Sequence, residues 1–401
     1  MTAAADGVHG KGDEKRALGV ACGAHALHDG YTDLIYVMLP IWQHEFGLGF
    51  AALGLMKTVF SGTLAGFQIP SGFLAERFGA AVVLALGTAL AGFGYCLAGF
   101  SSGIGTLVAA LFVAGLGAST QHPLASSLIA QAFAGARSLK ALGTYNFAGD
   151  IGKMTLPAAA SLLFVVLPWR EALVVLGGIG VLAAVVIFVL IPRYAAEAPP
   201  PPRKSEGSAK AGSRLSQLGF PLLLSVGVID SATRMAFLTF LPFVLTAKGA
   251  SLPTVGFALT LVFAGGAAGK LVCAFIGARI GAVATVWLTE AVTALGIVAT
   301  LPLSLDGALM LLPLVGVALN GTSSVLYGSV PELVEPARRQ RAFGIFYTGT
   351  IGAGAVSPAL YGLLGDAVGV PSALMVVAAV VLLTLPITLV LRPALADVRA
   401  S

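Results

Sequence analysis

Apolar residues in this chain come in long unbroken blocks separated by short polar gaps. Runs of about 18 or more residues with few charges fall near 17–42, 51–75, 80–100, 104–133, 138–166 and 171–192, and again near 215–246, 253–276, 281–303, 307–331, 342–365 and 371–391. A bilayer core ~30 Å thick takes about 20 residues of helix at ~1.5 Å per residue. Each run reaches that length, so the pattern predicts an all-α membrane protein with twelve transmembrane helices. One gap is unlike the rest: 195–213 contains Pro199 to Pro202 followed by Arg203, Lys204, Ser205, Glu206, Gly207 and Ser208. This is the composition of a polar linker, and it divides the spans six and six. The expected organisation is a polar tail over 1–16, a six-helix bundle over 17–194, the linker over 195–213, and a second six-helix bundle with a short tail over 214–401.

Charge then orients the chain. Seventeen Lys and Arg fall in alternate gaps and at the two ends, among them Lys11, Lys15, Arg16, Arg77, Arg137, Lys140, Arg279, Arg338, Arg339 and Arg341. Arg170 and Lys248 are the two on the opposite side. The positive-inside rule places both termini in the cytoplasm. The split also checks the even helix count, because one missed or invented span would scramble the alternation. The net charge of +5 is therefore a topology signal and not a nucleic-acid footprint, since the basic residues never form one face. Composition agrees: 10% charged and 57% hydrophobic residues stand far from the quarter charged of a soluble domain, and 51 Gly suit close helix packing. Cys22, Cys96 and Cys273 sit in three separate spans, which is neither a disulfide framework nor a metal motif. The first 16 residues lack an apolar signal region with a cleavage site.

A short motif recurs at matching places in the two halves. After span 2 comes Gly72-Phe73-Leu74-Ala75-Glu76-Arg77-Phe78-Gly79, and after span 8 comes Phe275-Ile276-Gly277-Ala278-Arg279-Ile280-Gly281. The first copy resembles the G-x-L-A-D-R-x-G signature of the major facilitator superfamily, with Glu76 in place of Asp; the second keeps the Arg-x-Gly core. The resemblance narrows to that superfamily's fosmidomycin-resistance group of bacterial efflux transporters. It is carried by His25 to Asp29, Leu39-Pro40 and Glu45 to Leu48. Gly117 to Pro123, Asn146-Phe147 with Gly152, Pro331 to Leu333, and Gly344 with Gly349 to Gly354 also match. Asp150 and Lys153 in span 5 and Lys57 in span 2 depart from that group's pattern. The resemblance implies the major facilitator fold, a proton-coupled drug exporter of the bacterial inner membrane, and a cytoplasmic gate at Gly72, Glu76, Arg77, Gly79 and Arg279, where an acid and an Arg on a tight turn can break and reform an ion pair as the halves rock. Arg77 and Arg279 also fit a plain role as topology-setting charges.

The chemistry-bearing residues are the charges inside the spans: Asp29, Asp33, Lys57, Asp150, Lys153, Asp230, Arg234, Lys270 and Glu290, with His25, His28 and His122 as titratable neighbours. An ionisable side chain near the bilayer centre costs at least ~2.5 kcal/mol and needs a partner or a wet cavity. Asp29, His122, Asp150, Lys153 and Asp230 fall near the middle of their spans, where transporters of this architecture hold substrate and coupling ions. Asp29, Asp150 and His122 are the expected proton carriers. Lys153, Arg234, Asp230, Asp33, Lys57, His25, Asn146, Tyr145 and Tyr327 are the expected substrate contacts. A structural reading stands beside this one: Asp150 with Lys153 and Asp230 with Arg234 have helical pair spacing, and Asp33 and Lys57 suit a pair between adjacent helices. Glu290 is expected to face away from the cavity and act structurally, and Lys270 fits either role.

The chain lacks a G-x-x-x-x-G-K-[ST] loop for ATP-driven pumping, and it lacks G-x-S-x-G and H-E-x-x-H elements of a membrane enzyme. It is expected to use no metal or other cofactor, to be no enzyme and to act as a monomer. Its expected partners are protons, the lipid bilayer and a small, anionic substrate. Export by antiport is the leading expectation. Uptake by symport and a non-transporting receptor on the same fold remain open.

Overall fold

The computed structural model describes residues 11–133, 136–192, 214–335 and 338–400, so the linker expected over 195–213 lies outside the described residues. Helix occupies every predicted stretch. In the first half these are α1 (Lys11–Phe46), α2 (Phe50–Gly66), α3 (Gln68–Phe78), α4 (Ala80–Gly99), α5 (Ile104–Ala118), α6 (Gln121–Ala132), α7 (Ala136–Val166) and α8 (Trp169–Leu190). The second half holds α9 (Arg214–Ala247), α10 (Leu252–Ile280), α11 (Ala282–Thr300), α12 (Leu305–Ser329), α13 (Arg339–Val368), α14 (Val370–Val381) and α15 (Thr384–Ala400). Among the described residues ten segments are long and apolar enough to cross a membrane, and α2 with α3, bent by 42°, makes an eleventh if the pair is one span. α1 has ample length at 36 residues, but His25, His28, Asp29 and Asp33 lower its apolar character. It also starts at Lys11, before the apolar run begins.

Three predicted spans are broken, each in the same way. Pro70, Pro123 and Pro386 stand third in α3, α6 and α15. A proline there cannot donate to the carbonyl four residues back, which belongs to Gly66, Ser119 or Leu382, at the end of the preceding helix or just past it. Proline alone does not decide the matter, because α1 runs through Pro40 and α9 through Pro221 and Pro242. The first two breaks are tied together: Ser71 on α3 meets the Ser119 hydroxyl at 2.9 Å.

The chain divides into two compact units that cut through α1 and α2. The first holds α1 up to Ile35 and everything from Val59 through α8. Within it α4 packs on α5 and α8, and α6 on α7. The α4–α8 contact is backbone to backbone: a Cβ on Gly92 would lie 2.6 Å from the Gly177 carbonyl oxygen, and one on Gly177 2.4 Å from that of Gly92. Tyr31 donates to the Leu176 carbonyl, and Tyr95 donates to the carbonyl of Tyr31. Glu14 on α1 pairs with Arg137 on α7.

The second unit holds Tyr36–Thr58 and α9 through α15. Its core gathers Leu223, Val226, Val286, Leu326 and Phe346, with α9 against α13, and α12 between α10 and α11. The first turn of α2 belongs to this unit and is clasped by α13. The Asp366 carboxylate accepts from the Phe50 N–H at 2.6 Å and the Ala51 N–H at 2.9 Å, satisfying donors that a helix start cannot satisfy itself. Leu182, Val189, Leu295 and Met310 leave apolar surface exposed, as helices facing lipid do.

The repeated Arg-x-Gly core has one conformation in both halves. Gly79 closes α3 at φ 87° and ψ 140°, and Gly281 closes α10 at φ 85° and ψ 162°. Glycine adopts this backbone without the penalty a Cβ would carry, which lets the next helix start at once.

Candidate functional site

Within the first unit, α1, α6 and α7 gather four basic side chains around one carboxylate. His25, His28 and Asp29 share a face of α1 because their spacing is three and four residues. Asp29 Oδ1 lies 3.3 Å from His25 Nε2 and 3.9 Å from both His28 Nε2 and His122 Nε2. Its Oδ2 lies 3.3 Å from Lys153 Nζ on α7. The break before α6 delivers His122, whose ring stands edge-on to those of His25 and His28, with centroids at 5.2 and 5.0 Å. Tyr145 stacks on His25 at 4.0 Å, and its carbonyl lies 2.8 Å from His25 Nδ1.

α7 is shaped for this approach. A Cβ on Gly149 would sit 2.7 Å from Asp29 Oδ2, and one on Gly152 would lie 1.8 Å from the Ala26 carbonyl oxygen. Glycine at both positions lets α1 press its polar face onto α7. Asp29 and His25 are buried, while the Lys153 and His122 side chains are 32% and 31% exposed. The cluster therefore has a dry carboxylate and two basic groups reachable from outside. A small cavity beside His28 is lined by Tyr31, Thr88, Thr120 and Gln121.

The His25 contact fixes its chemistry. A carbonyl only accepts, so Nδ1 carries the hydrogen and the other ring nitrogen of a neutral imidazole presents a lone pair. That nitrogen faces the Asp29 carboxylate and has no hydrogen-bond donor. Lone pair against carboxylate is repulsive, and one proton between them turns the contact into a charge-assisted hydrogen bond. Three histidines and a carboxylate also suggest a metal, and His25, Asp29 and His122 offer ligand atoms within 4.8 Å of one another. The Lys153 ammonium on the same carboxylate opposes a divalent cation there.

The other expected site residues distribute as follows. Asp150 is buried on α7, one turn before Lys153. Asp33 is buried on α1, close enough to Tyr95 for its charge to act there. Lys57 is buried in the second unit, its ammonium 4.5 Å from the centre of the Tyr36 ring, a cation–π contact. Asn146 is exposed on α7. Glu76 and Arg77 are exposed on α3, and Arg77 lies over the Phe78 ring at 5.5 Å. Among the described residues neither forms an ion pair, so the gate bridge inferred from their sequence is not made here. Arg279 is exposed in the last turn of α10.

In the second unit Asp230 and Arg234 occupy α9, and Tyr327 of α12 packs on Phe346 with its hydroxyl 3.5 Å from Thr350. Glu290, expected to face away from the cavity, is 1% exposed and within hydrogen-bonding reach of Asp230, a contact the spacing did not suggest. The signal lay on α11, where Thr285, Thr289, Thr293, Gly296 and Thr300 recur at helical spacing and are all buried. That stripe of small and polar residues marks the inward face. His28 was visible only as a neighbour, and its place one turn along from His25 is what brings it to Asp29.

The Major Facilitator Superfamily model matches residues 21–229 and 223–400. A probable sulfoacetate transporter of Cupriavidus necator is 31% identical over 165 residues, 40% of this chain and 38% of that protein. The fosmidomycin resistance protein of Escherichia coli K12 is 24% identical over 357 residues, 87% of this chain and 86% of its own. A bacterial homolog of the human lysosomal transporter Spinster, solved inward-facing and unoccupied, shares the fold at a TM-score of 0.79 and 15% identity, covering 97% of this chain and 99% of that one.

Proposed function

Because the chain belongs to the major facilitator superfamily and is a multi-pass membrane transporter, we propose that it moves a small organic anion together with a proton across the bacterial inner membrane by alternating access. The observation that carries this reading is the His25–Asp29 contact beside Lys153. Without a proton, Asp29 and Lys153 neutralise each other and the imidazoles are uncharged. With a proton shared between His25 and Asp29, His25, Asp29 and Lys153 together carry one net positive charge, which favours an anion beside the Lys153 ammonium. His122, as exposed as Lys153, is the second contact and a relay to water. Asp150, buried on the same helix as Lys153, is the second proton carrier. Proton and anion thus favour each other's binding, which is the linkage a symporter needs. The name of the sulfoacetate relative supports an anion of the sulfonate or carboxylate kind.

A second reading, export by proton antiport, is supported by the fosmidomycin resistance protein, whose match spans most of both chains. One experiment tests both. Purified protein in liposomes with an internal pH dye is offered sulfonates, carboxylates and phosphonates including fosmidomycin. Inward proton movement along with inward anion movement supports symport, and opposed movement supports antiport. Anion flux with no proton flux in the wild type overturns the coupling. Asp29→Asn and Asp150→Asn should each remove proton movement from folded, membrane-inserted protein.

A further inference from the structure

The second unit holds two carboxyl groups that the reading above does not use. Asp230 on α9 is 4% exposed and Glu290 on α11 is 1% exposed, and their side chains are within hydrogen-bonding reach of each other. Two ionised carboxylates have no hydrogen to share and repel one another; a hydrogen bond between them requires a proton on one. Arg234, one turn along α9 from Asp230, supplies a single positive charge. It balances one carboxylate, and a second buried negative charge would stand uncompensated at a cost of several kcal/mol.

The hydroxyls around Glu290 indicate which carboxyl carries the proton. Thr322 on α12 donates to Thr289 at 2.7 Å, and Thr289 donates in turn to the Thr285 carbonyl at 3.0 Å. The Thr322 hydrogen is thereby spent, and Thr322, within reach of Glu290, offers it lone pairs. Glu290 Oε1 has no donor of its own. A neutral Glu290 carboxyl has the hydrogen this surrounding lacks. An ionised Asp230 is the natural partner of Arg234 at the i, i+4 spacing.

The packed elements carry further charged and titratable groups, among them Lys270, Cys273 and Arg279 on α10, Asp306 and Tyr327 on α12, Tyr347, Tyr361 and Asp366 on α13 and Arg392 on α15; α14 has none. Arg234 acts on both acids, and Tyr327 feels the charge of Asp230 and Arg234. We propose that Asp230 and Glu290 form a second proton-binding site, holding one proton on Glu290 at neutral pH, separate from the His25–Asp29 site. The unit of ligand is the proton itself, held in a pocket of threonine hydroxyls with Arg234 as counter-charge.

Infrared spectroscopy of the full-length protein in lipid nanodiscs tests this directly, without any substrate. At neutral pH the wild type should show the carbonyl stretch of a protonated carboxylic acid in a dry site. Carbon-13 labelling of the glutamates should move that band, Glu290→Gln should remove it, and Asp230→Asn should shift its frequency. A wild-type spectrum with no label-sensitive acid band overturns the proposal and needs no variant to fold. A band that survives Glu290→Gln in folded protein overturns it as well. Asp29→Asn, which should abolish proton-coupled transport, should leave the band in place, so the two sites fail or stand independently.

Discussion

The two halves of the chain bury polar clusters with opposite charge balance. On α1, α6 and α7 one carboxylate faces a lysine and three histidines. On α9 and α11 two carboxyl groups face one arginine. Each arrangement is short of one proton, and they differ in access to water: Lys153 and His122 are each about a third exposed at the side chain, whereas Glu290 is 1% exposed. On the functions proposed above, the first gains and loses its proton with charged cargo nearby and the second keeps it. What separates exchange from retention is therefore which groups reach solvent, and the number of acids alone does not decide it.

The strongest way to break this contrast is Asp29→Asn. It removes the Asp29 carboxylate from beside Lys153, and pH-driven flux in liposomes should vanish while binding of an anion persists. Persistent proton coupling would remove Asp29 from its central place. Next comes Arg234→Met, which strands the Asp230 charge in the second cluster. Leaving the buried Asp230 charge without the counter-charge of Arg234 should cost on the order of 3 kcal/mol, measurable as a lower midpoint of thermal unfolding in detergent. No change would mean that Asp230 is itself neutral. Lys153→Met should weaken anion binding about tenfold, or ~1.4 kcal/mol, in isothermal titration, with no loss for an uncharged analogue. Equal loss for both would reduce Lys153 to a scaffold for Asp29. The smallest effect belongs to Glu290→Gln. An amide has nearly the shape of a neutral acid and keeps a donor for Asp230, so stability should fall by less than about 1 kcal/mol; a loss near that of Arg234→Met would show Glu290 to be charged.

Much of the architecture was legible because the bilayer imposes it. Apolar run length and the sidedness of Lys and Arg fix spans and expected orientation without any tertiary detail. Pro70, Pro123 and Pro386 even mark the breaks, though Pro40 and Pro242 show that a proline inside a packed helix need not break it. Rotation about each helix axis was harder to read. A helix that is apolar all round carries no phase, so the sequence placed Asp29, His122 and Lys153 at one depth but did not say that Lys153 turns to Asp29. The contact of Glu290 with Asp230 was missed for the same reason, since its own charge was weighed and the threonine stripe around it was not. The motif around Glu76 and Arg77 suggested an ion pair at the helix ends, and among the described residues both stand exposed on α3 without one.

The clasp on the first turn of α2 has a use of its own. Amide hydrogens at a helix start have no acceptor within the helix, so those of Phe50 and Ala51 owe their protection to the Asp366 carboxylate. Those two bonds slow their replacement by deuterium. Their exchange rate is thus a clock for how often α13 lets go of α2, readable by mass spectrometry on the unmodified protein.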